Sequence, residues 1–170
     1  MNSKKNLVFL GMMGSGKSSI GFLVSKKLNL KFFDIDSIIE NELGIKISSI
    51  FKEKGENFFR DAEEKITIKI LKTNNSVISL GGGGFISPKI RAEVLTNNSS
   101  IWLSWDIKTL LKRIKNSKKR PLVSNSTNQE NKNLIKERSK IYSKAKFKIN
   151  CNNLTKTEVV NKVIKIYEFN

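Results

Sequence analysis

The sequence contains no histidine and a single cysteine, Cys151, among its 170 residues. Without histidine there is no imidazole to activate a nucleophile, to act as a general base or to bind a metal ion. One cysteine excludes an internal disulfide and argues against a thiolate zinc site. Acid–base chemistry therefore falls to aspartate, glutamate, lysine or tyrosine side chains.

Long hydrophobic runs are also missing. The apolar run at residues 7–10 follows two lysines but breaks at Gly11, so it is too short for a secretory signal peptide. No stretch approaches the roughly 18 apolar residues of a membrane span. We therefore expect a cytoplasmic protein with no membrane partner, folded as a single domain over residues 1–170.

Arginine and aspartate are scarce, with five and four residues, in a chain of net charge +17 that has 27 lysines. We attribute the lysine excess to composition bias rather than to a nucleic-acid surface. Residues 112–148 hold 13 Lys and Arg against two Glu, a net +11, but no aromatic residues suited to base stacking alternate with these charges. Arginines kept in such a chain indicate positions that need a planar guanidinium.

Short apolar runs alternate with segments of helical period, a pattern typical of an α/β fold with a parallel sheet. The sequence predicts a three-layer α/β/α domain with five strands, at residues 6–10, 31–34, 76–80, 100–105 and 147–150. Residues 117–133 are polar and rich in Asn and Ser, which predicts a mobile loop, and the next helix is expected from residue 134.

Residues 11–18 match the phosphate-loop motif G-x-x-x-x-G-K-[ST] between a predicted strand and a predicted helix. Glycines let successive N–H groups form an anion nest at the positive end of the helix. Lys17 is placed to reach the β- and γ-phosphates and the Ser18 hydroxyl to ligate Mg²⁺. The predicted nucleotide-binding residues of this segment are Gly14, Ser15, Gly16, Lys17, Ser18 and Ser19.

Asp34 and Asp36 lie at the carboxyl end of the second predicted strand, the edge at which open α/β sheets bind ligands. The third strand lacks the acidic residue that often holds the Mg²⁺ water shell, and Ser79 stands near that position. Asp34 is the nearest replacement, with capping of the next helix as the alternative role of these aspartates.

The chain resembles the shikimate kinase family nearly from end to end. The segments that carry the resemblance follow in the family's order and spacing, and they are residues 11–18, 33–36, 55–63, 79–83, 120–122 and 137–142. The resemblance implies a P-loop kinase fold of the nucleoside-monophosphate-kinase type, with a mobile lid at about residues 115–133 and a shikimate-binding segment at about residues 34–63.

The implied activity is transfer of the ATP γ-phosphate, with Mg²⁺, to the 3-hydroxyl of shikimate, on the route to chorismate and the aromatic amino acids. The implied partners are shikimate and ATP, without nucleic acid, and we expect a monomer. A related kinase acting on gluconate or a nucleoside monophosphate is the alternative, since gluconate also offers a carboxylate and hydroxyls. A nucleic-acid-binding ATPase is the more distant alternative.

The resemblance also assigns substrate-binding residues. Asp36 matches a carboxylate that bonds the shikimate hydroxyls beside the acceptor oxygen, and Gly82 matches a backbone donor to shikimate. Arg60 and Arg138 match a pair that grips the shikimate carboxylate. A planar carboxylate favours bidentate guanidinium partners, so residue chemistry and resemblance agree.

For ATP, the resemblance assigns Arg120 to the lid, where it reaches the phosphates, and Arg113 to the adenine. Lys17, Asp36 and Arg120 are thus the predicted catalytic residues. Asn153 and Lys156 depart from the family pattern in the adenine loop. Arg91 has no assigned role and is interpreted as a solvated surface residue, and Trp105 as a residue at a strand edge.

Overall fold

The structure is a computed structural model that describes residues 5–115 and 126–169. Within these ranges it has five strands and eight helices. The strands are β1 (Leu7–Leu10), β2 (Lys31–Asp34), β3 (Ser76–Ser79), β4 (Ser99–Ser104) and β5 (Phe147–Asn150). The helices are α1 (Lys17–Leu28), α2 (Ile35–Leu43), α3 (Ile47–Glu53), α4 (Gly55–Leu71), α5 (Pro88–Asn97), α6 (Ile107–Lys115), α7 (Asn128–Tyr142) and α8 (Lys156–Glu168).

The five strands form one parallel sheet in the order β2-β3-β1-β4-β5. This confirms the predicted three-layer α/β/α fold. Parallel strands end at the same edge of a sheet, so the segments that follow β1, β2 and β3 meet there. In the β2–β3 register Asp34 lies opposite Ser79, which agrees with the expectation that Asp34 stands beside the position normally taken by an acidic residue.

Strand alternation divides the core into two layers, one on each face of the sheet. Leu7 and Phe9 of β1 pack on the face covered by α1 and α8, where Val24 and Val163 are also buried. Val8 and Leu10 face the opposite layer, which is formed by helices α2 to α7. Burial on both faces makes β1 a rigid base for the loop that follows it.

The prediction of a loop up to residue 133 is wrong at its carboxyl end, because α7 already begins at Asn128. Thr127 and Glu130 form a capping box: the Thr127 Oγ1 accepts from the Glu130 N–H at 3.2 Å, and Glu130 Oε2 accepts from the Thr127 N–H at 2.7 Å. Two otherwise unpaired amide donors are thereby satisfied, which starts the helix in a polar sequence.

Part of the predicted lid, together with the predicted catalytic residue Arg120, lies outside the described residues. In residues 5–115 and 126–169, none of the helices combines the length and the apolar character needed to cross a bilayer.

Candidate active site

The phosphate loop connects β1 to α1 and curls through three glycines in the left-handed region, with φ of 140° at Gly11, 76° at Gly14 and 90° at Gly16. Side chains rarely adopt these angles, so the motif's glycines are required by the backbone path. Lys17 is buried, and its Nζ donates to the carbonyls of Gly11 at 2.9 Å and Met12 at 3.0 Å. The ammonium group therefore lies across the mouth of the loop.

The carboxylate of Asp34 caps α2, because its Oδ1 accepts from the Ser37 N–H at 3.2 Å. Asp34 therefore has the helix-capping role that the sequence indicated as the alternative to magnesium binding. Asp36 lies in the first turn of the same helix, half-buried. The Ser18 hydroxyl is exposed at the start of α1.

Gly81 to Gly84 follow β3, and all four have φ outside the left-handed region. Because these glycines have no side chains, they leave space for charged side chains of neighbouring helices. A Cβ on Gly81 would collide with the carboxylates of both Glu63 and Asp36, and one on Gly83 would collide with the Arg60 guanidinium. The glycine run therefore lets charged side chains from α2 and α4 close in on the backbone beside the phosphate loop.

Arg60 is held between two carboxylates of its own helix. Its Nη1 donates to Glu63 Oε2 at 2.7 Å, and its Nε and Nη2 donate to Glu56 Oε1 at 3.1 and 2.9 Å. Burial lowers the pKa of Arg60, but the two carboxylates more than offset this, and the pKa lies above its ordinary value. The guanidinium is therefore a fixed cation.

Glu63 is buried, with its side chain 3% exposed, and its Oε1 has no hydrogen-bond partner among residues 5–115 and 126–169. Burial raises the pKa of Glu63, the Arg60 charge lowers it, and the Asp36 charge raises it again, so the pKa lies above its ordinary value. Glu63 lies in a segment that carries the family resemblance, but sequence reasoning gave it no role.

Arg138 reaches the glycine run from α7. Its Nη1 donates to the Gly82 carbonyl at 3.3 Å, and Tyr142, one turn later, donates to the same oxygen at 2.5 Å. Burial raises the pKa of Tyr142 to about 12, so the phenol stays a donor at neutral pH. The i, i+4 spacing that places both side chains on one helix face was a usable signal for Tyr142.

A cavity of about 380 Å³ opens beside the phosphate loop, away from the glycine run. Arg113 lies on one side of it and Lys156 begins the helix on the other. The remaining lining comes from Gly14, Ser15, Gly16, Ser19, Ile20, Trp105, Cys151, Leu154 and Val159. Its apolar walls and its position next to the loop suit a nucleotide base.

The expectation for Arg91 is wrong, while that for Trp105 is confirmed and extended by a further contact. Arg91 is half-buried rather than solvated, since its Nη1 donates to the carbonyls of Phe85 at 3.1 Å and Ile86 at 2.9 Å. It pins the turn that follows the glycine run. Trp105 does lie just beyond a strand, but its indole N–H also donates to the Ser15 carbonyl at 2.9 Å.

The structure thus brings Asp36, Arg60, Gly82 and Arg138 together on one side of the phosphate loop, and Arg113 on the other. A phosphate loop on a five-stranded parallel sheet defines the protein as a P-loop nucleotide-binding protein, the class that includes kinases, ATPases and GTPases.

Comparison with known proteins narrows this class. The family model described as shikimate kinase matches residues 13–168. A shikimate kinase of Persephonella marina is 38% identical over 160 residues, covering 94% of this chain and 97% of the relative. The chain belongs to the shikimate kinase family.

Solved structures agree. A shikimate kinase from Acinetobacter baumannii in complex with shikimate superposes with a TM-score of 0.91 at 25% identity, covering 96% of this chain and 92% of the other. The shikimate kinase of Aquifex aeolicus gives a TM-score of 0.86 at 34% identity, covering 96% of both chains. The fold is that of shikimate kinases.

Proposed function

We propose that this protein transfers the γ-phosphate of ATP to the 3-hydroxyl of shikimate, giving shikimate 3-phosphate and ADP. The observation that carries the proposal is the convergence of Arg60, Arg138 and Asp36 on the glycine run beside the phosphate loop. Two guanidinium groups suit a substrate carboxylate, and a carboxylate suits substrate hydroxyls. All of these groups come from the described residues of a single chain.

Each side chain has a distinct task. The loop amides and the Lys17 ammonium stabilise the charge on the transferring phosphoryl group. Asp36 orients the acceptor hydroxyl and takes its proton as transfer proceeds. Gly82 contributes its backbone N–H to shikimate, while its carbonyl, in the following peptide, accepts hydrogen bonds from Arg138 and Tyr142. Arg120 completes the phosphate contacts from the lid, and Arg113 lies against the adenine.

The oxygen donors near the loop fit a magnesium ion. Magnesium keeps most of its waters and binds substrate phosphates plus one or two protein oxygens. Ser18 offers a hydroxyl and Asp34 a carboxylate that acts through water. Across residues 5–115 and 126–169, the structure contains no cluster of three Asp, Glu or Cys side chains that could hold a metal alone. When bound, the ion neutralises charge on the β- and γ-phosphates.

Arg60→Lys and Arg138→Lys should each raise the shikimate KM about ten- to a hundredfold, because each removes a directed, charge-assisted hydrogen bond while keeping the charge. The ATP KM should stay within about twofold, since neither residue belongs to the phosphate loop. Steady-state kinetics with one substrate varied at a time measures both constants.

Arg113→Lys is the matched control for this pair, and it should raise the ATP KM with little change for shikimate. Arg91→Lys is unsuitable as a silent control because Arg91 bonds two carbonyls next to the glycine run. Lys69→Arg, an exposed change on α4, serves instead. An unchanged shikimate KM at both Arg60→Lys and Arg138→Lys would refute the substrate site.

Glu63→Gln should raise the shikimate KM about three- to tenfold, because Arg60 loses its buried anionic partner. Its effect on stability has a defined pH dependence. The pKa of Glu63 is higher in the folded state than in the unfolded state. At pH values between these two pKa values the folded state therefore binds more protons, and the free energy of unfolding falls as the pH rises.

The neutral variant lacks this penalty. The melting temperature of Glu63→Gln relative to the parent protein should therefore increase as the pH rises above the ordinary carboxyl pKa. A pH-independent difference would show that the carboxylate carries no burial cost. Glu53→Gln, an exposed change on α3, is the control.

The proposed function is tested by ADP release against a panel of acceptors. We expect release that depends on shikimate and on Mg²⁺. Equal turnover with gluconate or AMP would assign another kinase activity, and stimulation by DNA or RNA alone would favour the nucleic-acid-binding ATPase.

A further inference from the structure

Trp105 joins the end of β4 to the phosphate loop. Its indole N–H donates to the Ser15 carbonyl at 2.9 Å, a contact across 90 residues of sequence. Arg113, from α6, lies over the Trp105 ring with its guanidinium carbon 3.8 Å from the ring centroid. Arg113 Nη1 also donates to the Gly14 carbonyl at 3.2 Å. Two stacked side chains thus hold two successive carbonyls of the loop.

Holding a carbonyl also orients the next amide. The described residues contain no cis peptide bond, so the Ser15 carbonyl and the Gly16 N–H point in opposite directions across their shared peptide. With the carbonyl fixed on the indole, the Gly16 N–H points away from Trp105. The adjacent amide is fixed as well, since the Ser15 N–H donates to the Met12 carbonyl at 3.1 Å.

Flexible backbone needs such support here. Gly14 and Gly16 flank Ser15, both with positive φ, and glycine gives the peptide planes between them wide conformational freedom. An anion nest functions only when its amides are directed at the ligand before it arrives. Trp105 is half-buried and Arg113 is exposed, and cation–π stacking with the hydrogen bond from Arg113 to Gly14 keeps the two side chains together.

We propose that Trp105 is a positioning residue of the phosphate loop: it holds the Ser15–Gly16 peptide, with Arg113 stacked on its ring, in the form that receives the triphosphate. The inference rests on the ATP half of the proposed function and is independent of the acceptor. It makes Trp105 act through the backbone of the loop, not as a platform for the nucleotide base.

Trp105→Phe keeps an aromatic face for Arg113 and removes the N–H donor. It should raise the ATP KM about two- to tenfold, the range for loss of one hydrogen bond, with the shikimate KM within about twofold. Trp105→Leu, which also removes the stacking face, should raise the ATP KM further. Tyr167→Phe, near the carboxyl end of α8, is the control for loss of an aromatic donor and should leave the ATP KM unchanged.

The decisive readout is binding of magnesium tripolyphosphate, which has the phosphates of ATP but no base. If Trp105 acts through the loop, Trp105→Phe weakens tripolyphosphate and ATP by the same factor, measured by calorimetry. Weakened ATP with unchanged tripolyphosphate would make Trp105 a base platform and overturn the proposal. Unchanged affinity for both ligands would overturn it as well.

The test separates this proposal from the proposed function. Thermal melts identify any variant that does not fold, and Trp105→Phe carries the test if Trp105→Leu is lost. Absence of shikimate-dependent ADP release in the parent protein would refute the proposed acceptor, while the tripolyphosphate comparison would still decide the role of Trp105.

Discussion

Lys17→Met is expected to reduce shikimate phosphorylation by about 10³-fold or more, the largest effect of any single substitution considered. Lys17 is the one lysine of the phosphate-loop motif, and its side chain is buried against the loop's own carbonyls. In the proposed mechanism a rotation of the side chain brings the ammonium to the β- and γ-phosphates. Methionine keeps most of the volume but supplies no charge to the transition state.

The predicted loss lies mainly in kcat, because the loop amides still bind the phosphates. Lys27→Met on the same helix removes the same charge at an exposed site and is the control. Initial rates of ADP release for both variants make the comparison. A loss of only a few-fold at Lys17→Met would mean that the loop binds nucleotide without supporting the chemistry.

Asp36→Asn is expected to lower kcat by about 10²- to 10⁴-fold, the usual contribution of a general base. Asparagine preserves the shape and can still bond substrate hydroxyls, so the shikimate KM should change far less than kcat. Because Gly81 has no side chain, the carboxylates of Asp36 and Glu63 can both approach the backbone there. Asp36 therefore places a proton acceptor next to the glycine run.

Asp61→Asn makes the same chemical change on the exposed face of α4 and should leave both constants near their starting values. Rapid-quench measurement of the phosphoryl-transfer step separates chemistry from product release. If Asp36→Asn keeps the full rate of that step, Asp36 binds substrate without acting as a base, and the mechanism given above for proton removal is wrong.

Local sequence signals predicted the fold well where they coincide with structural boundaries. β2 occupies the predicted residues, because Asp34 ends the strand and caps the helix that follows. The start of α7 was missed although the Thr127 to Glu130 capping box is visible in the sequence. The polar composition of this segment predicted a loop, and the capping box that indicates a helix consists of only two residues.

Contacts between distant segments were harder to predict. The phosphate loop, the aspartates and the arginines are recognisable because their residue types match a known chemistry. Glu63 and Tyr142 lie in segments that carry the family resemblance, but their residue types alone do not indicate a role, and the same is true of Trp105. Their functions arise from pairing across the fold, as when Tyr142 reaches the Gly82 carbonyl over 60 residues and Trp105 reaches Ser15 over 90.

Arg91 was also predicted wrongly because its contacts are with another segment of the chain. Its lack of a family role suggested a solvated residue, yet it donates to two carbonyls of the turn that follows the glycines. These contacts depend on how α5 packs beside the turn, which the residue type alone does not indicate.

The most direct test of the account is the identity of the product. The protein is incubated with shikimate, ATP and Mg²⁺, and the product is analysed by proton–phosphorus correlation NMR. The account predicts one new phosphomonoester whose phosphorus couples to the proton on carbon 3 of shikimate. Phosphorus coupled to another ring position, or release of inorganic phosphate without a phosphorylated acceptor, would contradict it.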